Sequence, residues 1–141
     1  MQLSITPSHA ACGARVEGVD LSQDLASETV AALRAAWLEH HVLAFVDQAM
    51  DDDDLERFTQ YFGPFGVERR AAETAPVFAE AWHTDWSFQV RPPIGTCLLG
   101  LTIPPTGGDT LFANQHAALD AMPAALRKRI EGRVAIHSAK R

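Results

Sequence analysis

A chain of 141 residues that is 47% hydrophobic and 21% charged suits one globular domain and excludes wholesale disorder. Its 12 Lys and Arg against 18 Asp and Glu, net −6, lack the basic excess of a nucleic-acid scaffold, and no apolar run is long enough to span a bilayer. The N-terminus shows no secretory signal, and Cys12 and Cys97 stand far apart outside any CxxC spacing, so reduced thiols in a cytoplasmic protein are expected.

In chain order, Gln2 to Thr6 alternates as a short strand and stops at Pro7, and Ala14 to Val19 alternates again before the turn signal Asp20-Leu21-Ser22. Ser27 is a candidate cap for a helix carrying Val30, Leu33 and Trp37 as far as His40. The run Val42 to Val46 has the pattern of a strand buried on both faces.

Asp51 to Asp54 is the strongest charge run. A calcium loop would need alternating ligands and a glycine, which are absent. Leu55, Phe58 and Phe62 follow at helical spacing and Gly63-Pro64 ends the pattern, so the carboxylates read as the first turn of a helix.

From Val77 onward the pattern turns to strands, with Gly95 to Ile103 halted by Pro104-Pro105. The turn Thr106-Gly107-Gly108-Asp109 leads into a further strand, Thr110 to Ala113. Asn114 caps a short helix through Leu119, Pro123 opens another carrying Leu126 and Ile130, and Arg133 to His137 reads as strand. Helical material first and strands later predict an α+β domain built on an antiparallel sandwich, with residues 1–141 as one domain.

The chemistry concentrates in Trp82-His83-Thr84-Asp85-Trp86. On a strand, His83 and Asp85 project to one face while Trp82, Thr84 and Trp86 pack on the other. Two readings follow. The pair is either an edge-strand histidine and aspartate sharing a hydrogen bond, or two members of a two-histidine, one-carboxylate Fe(II) site. The spacing alone leaves both open. A zinc hydrolase is a third idea, but no HExxH motif supports it.

The wider context resembles the taurine dioxygenase-like (TauD/TfdA) family of 2-oxoglutarate-dependent dioxygenases. The resemblance is carried by Trp82-His83-Thr84-Asp85, Pro92-Pro93 and Pro104 to Phe112. It is extended by Gly13 to Leu21, His41 to Phe45, Phe62 to Gly66 and His137-Ser138. It implies a double-stranded β-helix, the jelly roll of clavaminate synthase-like proteins, together with Fe(II), 2-oxoglutarate and dioxygen. It matches His83 and Asp85 to the first two iron ligands, and Thr110 to the threonine that contacts a 2-oxoglutarate carboxylate. The implied activity is hydroxylation of a small organic acid or sulfonate. The implied partners are that small molecule and dioxygen, with no nucleic acid or membrane and room for a homo-oligomer.

In the resembling family the second metal histidine and the arginine facing the far carboxylate of 2-oxoglutarate belong to the C-terminal half. His9, His40, His41, His116 and His137 do not match that histidine, nor do Arg91, Arg133 and Arg141 match the arginine. The expectation is therefore an incomplete jelly roll, the N-terminal part of such an enzyme, inactive by itself. The alternative is a non-catalytic remnant that binds a partner or a small acid. Ala79 stands where the taurine enzyme has a substrate-contacting asparagine, and Val67 to Arg70 offer no counterpart of its substrate histidine, which points away from taurine itself.

Overall fold

The computed structural model describes residues 2–65 and 82–137. Strand β1 (Ser4–Pro7) pairs antiparallel with β2 (Ala14–Glu17), from Ser4 opposite Glu17 to Pro7 opposite Ala14. Helix α1 (Ser27–His40) then crosses over to β3 (Leu43–Phe45), which pairs parallel with β2 through Ala14 opposite Leu43 and Val16 opposite Phe45. Parallel neighbours need such a crossover, and a helix supplies it. The sheet order is β1-β2-β3.

Period-two alternation decides which face is buried. Ala14 and Val16 are fully buried and Leu3 and Ile5 half-buried, while Arg15 and Glu17 point to solvent. Under that face lie Leu33 of α1 and Phe58 of helix α2 (Asp52–Gln60), with Leu21 closing the core. Edge-to-face rings continue it, Phe45 to Phe58 at 5.2 Å, Phe58 to Phe62 at 5.3 Å and Phe62 to Trp37 at 5.6 Å.

The aspartate run does begin a helix. Asp51 accepts from the Asp54 backbone N–H at 2.9 Å and Asp54 Oδ2 accepts from the Asp51 N–H at 3.2 Å, a reciprocal capping box. Asp54 also pairs with Arg57 at 2.8 Å, and this guanidinium holds its carboxyl below the usual aspartate range. Arg57 Nη2 in turn donates to the Leu21 carbonyl at 3.0 Å, tying α2 to the loop after β2. Gln48 does similar work. It accepts from Leu21 N–H and donates to the carbonyls of Val19 and Val46.

Several boundaries differ from the sequence expectation. Ala26, not Ser27, is the N-cap of α1, and no side-chain cap forms there. His41 ends that helix in the left-handed region, φ 66°, its N–H on the Trp37 carbonyl at 2.7 Å. The Val42–Val46 run yields only a three-residue strand at the sheet's edge, with Ala44 exposed, so one face is buried rather than two. Helices α3 (Gln115–Asp120) and α4 (Ala124–Ile130) follow as expected, with the Asn114 side chain accepting from the Ala117 N–H at 3.0 Å.

The expected strands at 95–103, 110–113 and 133–137 do not form, and no second sheet faces the first among the described residues. A strand exists only where a neighbour takes up its backbone groups. Here the apolar side chains meant for a sheet stand in solvent, with Leu101 85%, Ile103 76% and Val134 89% exposed. None of the described residues after Phe58 is fully buried. Among the described residues no helix is long and apolar enough to cross a membrane.

A His-Asp pair in a turn as candidate metal centre

His83 does not sit on a strand. It lies in irregular chain just before a turn over residues 85–88, where the Gln89 N–H reaches the Trp86 carbonyl at 2.9 Å. Trp86 takes φ 54°, a conformation uncommon for so bulky a residue. That corrects the expected backbone: the pair lies at the entrance to a turn, not on a pleat. The expected packing face is corrected too, since Trp82 is 69% exposed and Thr84 is exposed, while Trp86 is half-buried beside Phe88.

The side chains nevertheless meet. His83 Nε2 lies 3.1 Å from Asp85 Oδ1, both groups about half exposed. Two ligand atoms about 2.1 Å from one ion and at right angles around it lie about 3 Å apart. The observed separation fits adjacent positions on such an ion. It equally serves a direct hydrogen bond, so the pair satisfies both readings left open by its spacing. Among the described residues no third His, Cys, Asp or Glu joins it to make a metal-binding group.

Thr96 was not legible as part of this site. Its hydroxyl donates to the second oxygen of Asp85 at 2.8 Å. In sequence it is one β-branched residue at the head of an apolar run, which reads as strand. A second unanticipated contact joins Ser87 Oγ to His137 Nδ1 at 2.6 Å, across 50 positions. His137 thereby approaches the turn, but as a partner of Ser87. His116 stacks on His41 instead, with centroids 5.8 Å apart.

Thr110 is exposed, just after Gly107 and Gly108 with φ 74° and 72°. It makes no hydrogen bond to Asp85. Val67 to Arg70 and Ala79 lie outside the described residues, as do Gly66 and Ser138.

The segment bearing Thr96 is anchored on the core. A Cβ at Gly95 would lie 2.6 Å from Trp37 Cζ2, and one at Gly63 would lie 3.5 Å from Ile94 Cδ1. Further along, Asn114 donates to the Ala11 carbonyl at 2.9 Å.

The profile of the family described as taurine catabolism dioxygenase TauD, TfdA matches residues 4–141. An alkylsulfatase from Acinetobacter baylyi is 36% identical across 97% of this chain and 47% of its own length. An alpha-ketoglutarate-dependent sulfate ester dioxygenase from Pseudomonas putida is 34% identical, covering 98% of this chain and 50% of its own. The crystal structure of a taurine dioxygenase from Burkholderia xenovorans superposes with a TM-score of 0.78 at 31% identity, over 92% of this chain and 52% of that one. The chain thus spans about half the length of the curated relatives it matches.

Proposed function

The chain belongs to the taurine catabolism dioxygenase TauD, TfdA family, and on that premise we propose that it forms part of an Fe(II)- and 2-oxoglutarate-dependent dioxygenase acting on a small organic acid. A sulfate ester or a sulfonate is the favoured class. The observation that carries the reading is the 3.1 Å approach of His83 Nε2 to Asp85 Oδ1 on solvent-accessible side chains. The names of the alkylsulfatase and of the sulfate ester dioxygenase support the ester. The taurine dioxygenase supports the sulfonate. A cytoplasmic location and a jelly-roll fold for the whole enzyme belong to the same reading.

His83 as neutral imidazole and Asp85 as carboxylate would hold the metal. A second histidine, and an arginine for the far carboxylate of 2-oxoglutarate, would come from the part of the fold that residues 1–141 do not cover. Fe(II) bound there supplies open coordination positions and the redox chemistry that couples decarboxylation of 2-oxoglutarate to hydroxylation of a substrate C–H bond. Thr110 would donate its hydroxyl to a 2-oxoglutarate carboxylate. Trp86 and Phe88 would keep water from the reacting carbon. Hydroxylation at the carbon bearing the sulfur group then breaks that carbon's bond to sulfate oxygen or sulfonate sulfur. Sulfate or sulfite leaves, and a carbonyl remains.

The test joins residues 1–141 to the remaining half of the solved taurine dioxygenase and supplies Fe(II), 2-oxoglutarate, ascorbate and either an alkyl sulfate or taurine. Succinate should form with stoichiometric sulfate or sulfite, and His83→Ala or Asp85→Ala should abolish it. The 141-residue chain alone, with two ligands among its described residues, should stay near background. Turnover that survives both substitutions would defeat the metal assignment.

A further inference from the structure

A metal-binding carboxylate can turn about its Cβ–Cγ bond and offer either oxygen. In this chain the choice is made by a neighbour. Asp85 Oδ2 accepts from the Thr96 hydroxyl at 2.8 Å, and that leaves Oδ1 directed at His83 Nε2, 3.1 Å away. Thr96 is exposed, so water could satisfy its hydroxyl equally well. The bond to Asp85 therefore serves orientation and is not forced by burial.

Thr96 has a fixed base from which to do this. Its neighbour Gly95 lies so close to the indole of Trp37 that a Cβ would come within 2.6 Å of Cζ2. Trp37 sits on α1 and packs edge-on against Phe62, which packs on buried Phe58. A line of contacts thus runs from the core through Trp37 and Gly95 to Thr96 and the carboxylate. The turn over residues 85–88 has no sheet partner to hold it among the described residues. The Thr96 bond does for Asp85 what a pleat would otherwise do.

We propose that Thr96 is a positioning residue of the metal pair, setting the rotation of the Asp85 carboxylate so that Oδ1 and His83 Nε2 present themselves together to a divalent ion. The assignment rests on the metal reading above, and it goes beyond that reading in naming what holds the ligand. Groups that orient metal ligands from behind typically contribute about 10- to 100-fold in metal affinity.

Mn(II) is the probe, its binding to residues 1–141 joined to the remaining half of the solved taurine dioxygenase followed by loss of the free-ion electron paramagnetic resonance signal, with circular dichroism on every variant. Thr96→Val should raise the dissociation constant about tenfold or more. Thr96→Ser, which keeps the hydroxyl, should stay within about twofold of wild type. In an Asp85→Ala background Thr96→Val should change nothing further. The assignment is overturned if Val binds like wild type while Asp85→Ala abolishes binding, or if Ser is as damaging as Val. It is also overturned if Val unfolds the chain in both backgrounds, which would make Thr96 a structural residue only. Absence of binding by wild type, or unchanged binding in His83→Ala and Asp85→Ala, would instead defeat the metal reading itself.

Discussion

Trp37 and Gly95 meet ring edge to backbone, with no room for a side chain between them: the first carbon of one would stand 2.6 Å from Cζ2 of the indole. Gly95→Ala must therefore push the indole or the 94–96 segment away. Overpacking of this kind typically costs about 1–3 kcal/mol. Urea unfolding should show that loss, and Mn(II) binding should weaken with it as Thr96 is carried away from Asp85.

Gln48 satisfies three backbone groups at once, the N–H of Leu21 and the carbonyls of Val19 and Val46, at 2.9, 3.2 and 2.8 Å. Gln48→Ala strands part-buried polar groups between the sheet and the 19–21 loop. The expected loss is about 1–3 kcal/mol for the group worst placed to find water. It should appear as a lower urea midpoint with an unchanged slope.

Acid should loosen the α2 cap. Arg57 beside Asp54, helped by the Asp51 N–H, lowers the carboxyl's pKa in the folded chain. The unfolded chain then takes up its proton first, so the contribution is complete above the unfolded value, about 4. It declines as pH falls and is gone once pH has passed below the folded value. Asp54→Asn should remove this part of the pH dependence, so thermal midpoints of the two proteins should converge as the solution is acidified.

Thr110→Val tests the assignment of a hydroxyl to the co-substrate. In the joined enzyme, the KM for 2-oxoglutarate should rise about 10- to 100-fold, as expected for a hydrogen bond to a charged group. Mn(II) affinity without 2-oxoglutarate should not change. A parallel loss of metal binding would place Thr110 in the metal site rather than beside the carboxylate.

The readability of the sequence followed the locality of the physics. The Asp51–Asp54 cap, the Asn114 cap and the alternation of Ala14 and Val16 are settled by neighbours a few residues away, and each element stands where its pattern put it. The strands expected beyond residue 95 depend on backbone partners that no local pattern supplies, and they are absent from the described residues. The same division runs through the site. His83 and Asp85 are two positions apart and stood out, although the turn that begins at Asp85 did not, because Trp86 within it takes a positive φ. Thr96 and His137 reach the turn across 11 and 50 positions, and nothing local announces either.

Among the described residues the buried core draws on those before the end of α2, whereas His83, Asp85 and Thr96 stand on the later segment. Opening the site should therefore be a cheaper event than unfolding the chain, and amide hydrogens after residue 82 should exchange well before those of Val16 and Leu33. A divalent ion held by the His83–Asp85 pair would act as a clasp on the looser tier alone. Saturating it to 100 times its dissociation constant would add about 2.7 kcal/mol to the opening of that tier and leave the exchange of the core amides where it was.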